Sequence, residues 1–275
     1  MELYTATSYQ LSKQLTEQYS TSFSSSSRLF AAPIRRHIYA VYGLVRIADE
    51  IVDTYRGDDA REQLDGLQAD TYHALSTGYS VNPVVHAFAT TARLFSIDKD
   101  LIDPFFESMR IDLSPHTYDE ALYVQYIYGS AEVIGLMCLK VFTAGNAAQY
   151  DDLQEGARAL GAAYQKVNFL RDCASDYKEL GRLYFPEVQY ETLSEEDKQA
   201  IVEDVRSDLR LAQRTITRLP SNSRKAVSLS YLYYKKVLDL LDKSSVARIK
   251  TTRIRVGSLQ KLVLFIRVRS GVYSI

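Results

Sequence analysis

Residues 159–176 read ALGAAYQKVNFLRDCASD, and residues 41–53 read VYGLVRIADEIVD. In the first stretch Gln165, Asn168, Asp172 and Asp176 follow at offsets of three, four and four. In the second, Asp49, Glu50 and Asp53 lie three, four and seven residues beyond Arg46. Such spacings put each set on one face of an α-helix. Around the first set stand Ala162, Ala163, Val167, Phe169, Leu170 and Cys173; around the second stand Val41, Leu44, Val45, Ile47, Ile51 and Val52. Both segments are too apolar for ordinary surface helices. A lone Asp-x-x-x-Asp is commonplace on a solvated helix face. Two matching stripes hold four aspartates, which repel one another unless they share a cation.

Helical periodicity extends outward from these two segments. Pro33 opens a helix expected to reach about Tyr55, and Asp58 or Asp59 caps a second to about Ser76. Asn82-Pro83 is an N-cap followed by a first-turn proline, with a helix to about Phe95. A fourth, kinked at Pro104, is expected to end near Asp112, before a turn at Ser114-Pro115. Asp119 starts a long apolar helix to about Thr143, and another runs from about Ala147 to Gly181. After a loop over 182–193, helices are expected near 194–219 and 222–245. Residues 247–256 (ARIKTTRIRV) read as extended, and 258–268 as a final helix or strand. With 12 Gly and 6 Pro in 275 residues, a turn-rich β fold is disfavoured. The expectation is all-α, one domain over 1–275, with no repeat or linker dividing it.

Composition narrows the function further. Lys plus Arg total 33 and Asp plus Glu 34, so the whole chain is not a generic polyanion binder. The two cysteines, Cys138 and Cys173, give no disulfide framework and suit a reducing compartment. The N-terminus lacks a signal-peptide pattern, and VIGLMCLKVF (133–142) and LVLFI (262–266) are short for a membrane span. A cytoplasmic location is expected, peripheral at the inner membrane face. No Gly-rich nucleotide loop, Cys-x-x-Cys or Glu-x-x-His occurs, which argues against dinucleotide, zinc and di-iron sites of the usual kinds. Asp and Asn oxygens are hard ligands that suit magnesium, with manganese as a substitute. Magnesium keeps waters and reaches substrate phosphates, so two facing stripes would make a metal–diphosphate clamp. Arg46 and Arg171 would serve as bidentate phosphate donors.

Five segments together resemble the phytoene/squalene synthase family: YSTSFSSSSRLF (19–30), YAVYGLVRIADEIVD (39–53), YIYGSAEVIGLM (126–137), YQKVNFLRDCASDYKELGRLYFP (164–186) and YYKKVLDLLDKSSVARIKTTRIRV (233–256). The resemblance implies an isoprenoid synthase fold with a central helix-lined cavity. It also implies head-to-head (1′–1) condensation of two prenyl diphosphates through a cyclopropyl intermediate. By that resemblance Asp49, Asp53, Asn168, Asp172 and Asp176 would hold magnesium. Arg46, Gln165, Arg171 and Arg182 would contact diphosphate or hold the acidic helices. Tyr19, Ser20, Thr21 and Ser22 match the substrate-binding stretch, and Tyr42, Tyr126 and Tyr234 match site aromatics. Two residues depart from the family pattern: Glu50 stands where Asp is usual, and Glu132 where Gly is usual. The expected activity is 15-cis-phytoene synthase acting on two geranylgeranyl diphosphates without NADPH. The alternative is dehydrosqualene or squalene synthase acting on two farnesyl diphosphates.

From Arg224 onward the chain carries 12 Lys or Arg against only Asp239 and Asp242. A merely solvated basic surface is one reading. Contact with an anionic membrane is the functional one. A basic nucleic-acid-binding module or a helical scaffold would leave the acidic stripes unexplained, so no nucleic-acid partner is expected.

Overall fold

The computed structural model describes residues 1–55, 57–114, 118–273 and 275. Among them there is no strand. The elements are α1 (Glu2–Tyr19), α2 (Thr21–Ser27), α3 (Ala32–Asp49), α4 (Ala60–Thr77), α5 (Pro83–Phe95), α6 (Lys99–Ile111) and α7 (Glu120–Ile127). They continue as α8 (Val133–Thr143), α9 (Ala147–Ser175), α10 (Glu195–Ile216), α11 (Arg224–Asp242), α12 (Val246–Ile249) and α13 (Ser258–Ser270). Three π-helical turns interrupt the pattern: Glu50–Thr54 after α3, Tyr128–Glu132 between α7 and α8, and Asp176–Leu180 after α9. Two of the three sit where an acidic stripe ends. The wider π turn carries Asp53 past the phase an α-helix would give it, a distortion that recurs at functional sites, whereas Asp176 opens its π turn with its N–H still bonded to the Asp172 carbonyl oxygen in the α pattern.

Local chemistry fixes most boundaries. Asn82 accepts from the Val84 and Val85 amides ahead of Pro83. Ser194 and Asp197 form a reciprocal capping box on α10, and Asp119 accepts from the Leu122 amide. Asp59 holds the N-cap position of α4, but its carboxylate takes the Tyr55 hydroxyl at 2.6 Å and the Gln63 amide at 2.8 Å instead of a backbone amide. Helix α6 continues through Pro104 to Ile111. Of the expected Ser114-Pro115 turn, Pro115 lies outside the described residues.

Helices α1 and α2 precede Pro33, in a stretch where apolar periodicity gives no signal. The buried stripe of α1 contains Ser8, Ser12 and Thr16, each hydroxyl returned to the carbonyl four residues back at 2.9–3.1 Å. Satisfied in this way, small polar residues can pack where Leu would be expected. The segment expected to be extended, 247–256, contains the end of the short α12 and then a non-helical run in which Ile254 and Val256 are buried and Arg253 and Arg255 exposed. Residues 258–270 are helical.

The two acid-bearing helices, α3 and α9, both pack against α8, and α9 also lies along α10. One hydrophobic cluster runs from Phe30 to Ile254 and includes Val41, Leu44, Val167 and Leu170. The α7–π–α8 rod, Glu120–Thr143, is long and apolar enough to cross a membrane by length and composition, and 56% of its most apolar window is buried inside the bundle. Its closeness to α9 depends on Gly161, where an added Cβ would stand 2.6 Å from the Ala131 carbonyl oxygen. Gly135 on α8 does the same from the other side, with an added Cβ 2.6 Å from the Ala157 carbonyl oxygen, so glycines on both helices allow this close approach. Glu132 is directed away from the cavity and pairs with Arg158 at 2.6 Å.

Candidate active site

Between α2, α3, α8, α9, α10 and α11 lies a cavity of about 580 Å3. Helix progression orders its walls. On α9 and the π turn after it, the cavity is lined in turn by Asp176, Asp172, Asn168, Gln165, Gly161, Gly156 and Leu153. On α3 and its following π turn the order is Asp53, Asp49, Arg46, Tyr42 and Ile38. One end is thus carboxylate-rich. The other is closed by apolar groups, with Phe30 and Phe142 stacked at 5.4 Å and Leu219 beside them.

The whole Gln165–Asp176 stripe borders the cavity, as do Arg46, Asp49 and Asp53. Glu50 does not; it is ion-paired with Arg46. Tyr19, Ser20, Ser22, Tyr42, Tyr126 and Tyr234 also line it. Ser20 caps α2 by accepting from the Phe23 amide at 3.2 Å, and Tyr42 stacks on Phe23 at 5.1 Å. Arg46 lies over the Tyr19 ring at 4.4 Å. Gln165 donates to the Ser130 hydroxyl at 3.3 Å, and Tyr234 donates to Asn168 at 3.4 Å while stacking on Tyr164 at 3.8 Å. Thr21 is exposed and off the cavity wall, although its neighbours line it.

Arg171 and Arg182 stand behind the carboxylates instead of on the wall. Arg171 donates to both oxygens of Asp172 at 3.0 and 2.6 Å. Arg253, from the run before α13, grips the same carboxylate at 2.7 and 2.9 Å. Arg182 reaches Asp53 at 2.8 Å, Asp112 at 3.4 Å and the Asp112 carbonyl oxygen at 2.5 Å. The Tyr126 hydroxyl donates to Asp112 at 2.6 Å.

Asp112 and Arg253 are absent from the sequence-based site. Asp112 reads as an ordinary residue closing an amphipathic helix, and Arg253 as one charge in a basic run. The alternation of Arg253 and Arg255 with Ile254 and Val256 is the one signal that marks that run as packed.

Electrostatics set this end apart. Burial, then Asp53, raises the Asp49 carboxyl far above the usual carboxylate range. Asp176 is pushed up to about 7 by burial, by Asp172 and by Asp53 across the opening. Asp112 also rises to about 7 through burial, against the opposing pull of Arg182. Negative charge is therefore gathered beyond what the arginines compensate. This donor set, all hard oxygen, fits magnesium or manganese. Among the described residues no three acidic, His or Cys side chains yet converge as a metal group. Both oxygens of Asp172 are taken by arginines, and Oδ1 of Asp53 by Arg182.

A bundle of helices around one apolar cavity with facing acidic stripes at one end is the architecture of an isoprenoid synthase. Among solved structures, a ligand-bound dehydrosqualene synthase superposes with a TM-score of 0.81 at 19% identity, over 98% of this chain and 97% of that one. Squalene synthase HpnC from Alicyclobacillus acidocaldarius gives 0.75 at 20% identity, over 87% and 94%. The chain belongs to the squalene/phytoene synthase family, whose model matches residues 16–260. It is 29% identical to the chloroplastic phytoene synthase 1 of Zea mays over 91% of its own length and 65% of that protein's. It is 26% identical to the 4,4′-diapophytoene synthase of Staphylococcus haemolyticus over 64% of its own length and 61% of that protein's. The chain thus spans under two thirds of both relatives.

Proposed function

We propose that this chain joins two prenyl diphosphates head to head, and that its substrates are two C20 geranylgeranyl diphosphates giving 15-cis-phytoene. One observation carries the reading: two acidic stripes face each other at one end of an otherwise apolar cavity. A diphosphate fits the charged end and its isoprenoid tail the apolar end.

Asp49, Asp53, Asn168, Asp172 and Asp176 are the residues that would hold magnesium. When bound, the metal neutralises diphosphate charge as a Lewis acid, making diphosphate a leaving group. Arg46 and Gln165, both on the wall, orient the diphosphate oxygens. Arg171 and Arg182 hold Asp172 and Asp53 in place. Tyr19, Ser20 and Ser22 form the rim, and Thr21, facing solvent, has no part in it.

Loss of diphosphate from one substrate leaves an allylic cation. Its C1 adds across the C2–C3 double bond of the second substrate, and a proton leaves to close the cyclopropane. The second diphosphate then departs, the skeleton rearranges and a further proton is lost, so no reductant is consumed. The cavity beyond Gly161 is lined by Ile134, Cys138, Leu139 and Phe142, which exclude water from the cation. The rings of Tyr42, Tyr126 and Tyr234 can each stabilise passing positive charge by about 0.5–2 kcal/mol.

The C15 alternative, two farnesyl diphosphates giving dehydrosqualene or squalene, draws on the stacked Phe30 and Phe142, which close the apolar end. Incubation of the purified chain with magnesium and either diphosphate, with and without NADPH, followed by identification of the hydrocarbon, separates the cases. Phytoene from the C20 substrate without NADPH is the expected result. A C30 product alone would favour the alternative, and no turnover of either substrate would remove the enzyme reading.

A further inference from the structure

Helix α13 is apolar on two faces. Leu264, Phe265 and Val268 face inward against Leu229 and Tyr233 of α11. Leu259, Leu262, Val263 and Ile266 repeat the same helical spacing on the opposite side and are 74%, 53%, 46% and 55% exposed. Val272, just past the helix, is 66% exposed. A helix apolar all round belongs in a covered setting, and a contiguous exposed row of this kind marks an interaction surface.

The charge around the row is of one sign. From Lys243 to Ile275 the chain has eight Lys or Arg and no Asp or Glu. Arg255, Arg267 and Arg269 are exposed at the two ends of α13, and Lys225 comes from α11 to donate to the Arg269 carbonyl oxygen at 3.1 Å. Leu and Ile between cationic ends match an interfacial helix lying in the plane of an anionic bilayer. A protein partner would have to be both apolar and acidic, whereas a bilayer of anionic lipid supplies both over the full length of the row.

We propose that α13 seats this chain on an anionic lipid surface through Leu259, Leu262, Val263 and Ile266, with Arg255, Arg267 and Arg269 on the headgroups. The seat is joined to the cavity. On the inner side of the same helix, Lys261 donates to the Ser22 hydroxyl at 2.7 Å, and Ser22 lines the cavity wall. A chain docked by α13 therefore holds one rim of its cavity at the membrane interface, where an amphiphile with an isoprenoid tail partitions. Docking itself depends on no assumption about the substrate.

The test is co-sedimentation of the purified chain with phosphatidylcholine vesicles, with and without phosphatidylglycerol, at low and high salt. Binding to the anionic vesicles is expected, falling with salt. Leu262→Glu with Ile266→Glu should abolish it without lowering the melting temperature, because both side chains face outward. Arg255→Gln with Arg269→Gln, which leaves the apolar row intact, should weaken it about fivefold for each charge removed. No sedimentation with anionic vesicles, or equal binding by the Glu variant, would overturn the proposal. So would a fall in particle mass by light scattering in the Glu variant without vesicle binding by the parent, which would show the row to be a contact between copies. Turnover of soluble substrate by the Glu variant keeps failure of docking distinct from failure of the enzyme reading.

Discussion

Arg182 donates from Nη1 to the carboxylate of Asp53 at 2.8 Å, joining residues 129 positions apart in the chain. The same guanidinium holds the Asp112 carbonyl oxygen and lies 3.4 Å from its carboxylate. One side chain thus ties the end of the first acidic helix to the turn after α6 and to the loop after α9. Replacing Arg182 by Ala leaves Asp112, with a side chain only 3% exposed, without its cation. We predict a loss of about 3 kcal/mol in urea unfolding. Adding Asp112→Asn should return at least about 1 kcal/mol, since it removes the stranded charge. Strictly additive losses would refute the coupling.

Asp172 is gripped by two arginines and sits at the centre of the second stripe. Asp172→Asn keeps the shape and removes the charge. Turnover should fall by at least about a hundredfold, the scale of several kcal/mol of transition-state charge stabilisation. Circular dichroism should stay unchanged. Activity near the parent level would remove Asp172 from the proposed ligand set.

A divalent ion held by these carboxylates would supply the counter-charge that this end lacks, and inorganic diphosphate would bind through that ion. Any ligand at a hundred times its dissociation constant stabilises the fold by about 2.7 kcal/mol. Melting temperature should therefore rise with magnesium plus diphosphate, and the rise should vanish in Asp53→Asn with Asp176→Asn. An equal rise in that variant would place the binding elsewhere.

Gly161 has no room for a side chain beside the Ala131 carbonyl. Gly161→Ala must push α9 away from the π turn at Tyr128–Glu132. A destabilisation of about 1–3 kcal/mol is expected in denaturant titration, despite the better helix propensity of Ala. A stabilised variant would show the contact to be loose. Glu132→Gly, by contrast, changes only an outward pair with Arg158 and should leave product identity unchanged.

His37 is buried, and its Nδ1 lies 2.9 Å from the Thr91 hydroxyl and 3.1 Å from that of Tyr9. Arg36 donates to its Nε2 at 3.2 Å, so that nitrogen is an acceptor and the ring is neutral. Burial first, and then Arg36, lower its pKa to about 4. Between 6.5 and 4 the unfolded chain takes up a proton that the folded chain refuses, so this group removes stability as pH falls through that window. The full effect is about 3 kcal/mol. The raised carboxylates Asp49, Asp112 and Asp176 act in the opposite direction, so the comparison must be made against His37→Gln. The difference in unfolding free energy between parent and variant should shift against the parent from pH 7 to pH 4.5. A constant difference would refute the neutral buried imidazole.

The acidic stripes and their helices are legible in the sequence because a helix has a fixed period. Gln165, Asn168, Asp172 and Asp176 need only that period to share a face. The cap at Asn82 is legible for a similar reason, since it is satisfied within three residues. Helix α1 is not, because its buried Ser8, Ser12 and Thr16 satisfy themselves through their own backbone and show no apolar stripe. The π turns also escape, since one extra residue per turn leaves no mark in composition. Asp112 joins the site through Tyr126, 14 residues away, and Arg182, 70 away, and Arg253 through Asp172, 81 away in the chain. By itself the sequence determined which residues carry charge on the acid-bearing helices. Only the tertiary structure decided that the two stripes face one cavity, that arginines occupy Asp53 and Asp172, and that the outer row of α13 is uncovered. Local periodicity fixes a helix face, but what that face meets depends on packing between segments far apart in the chain.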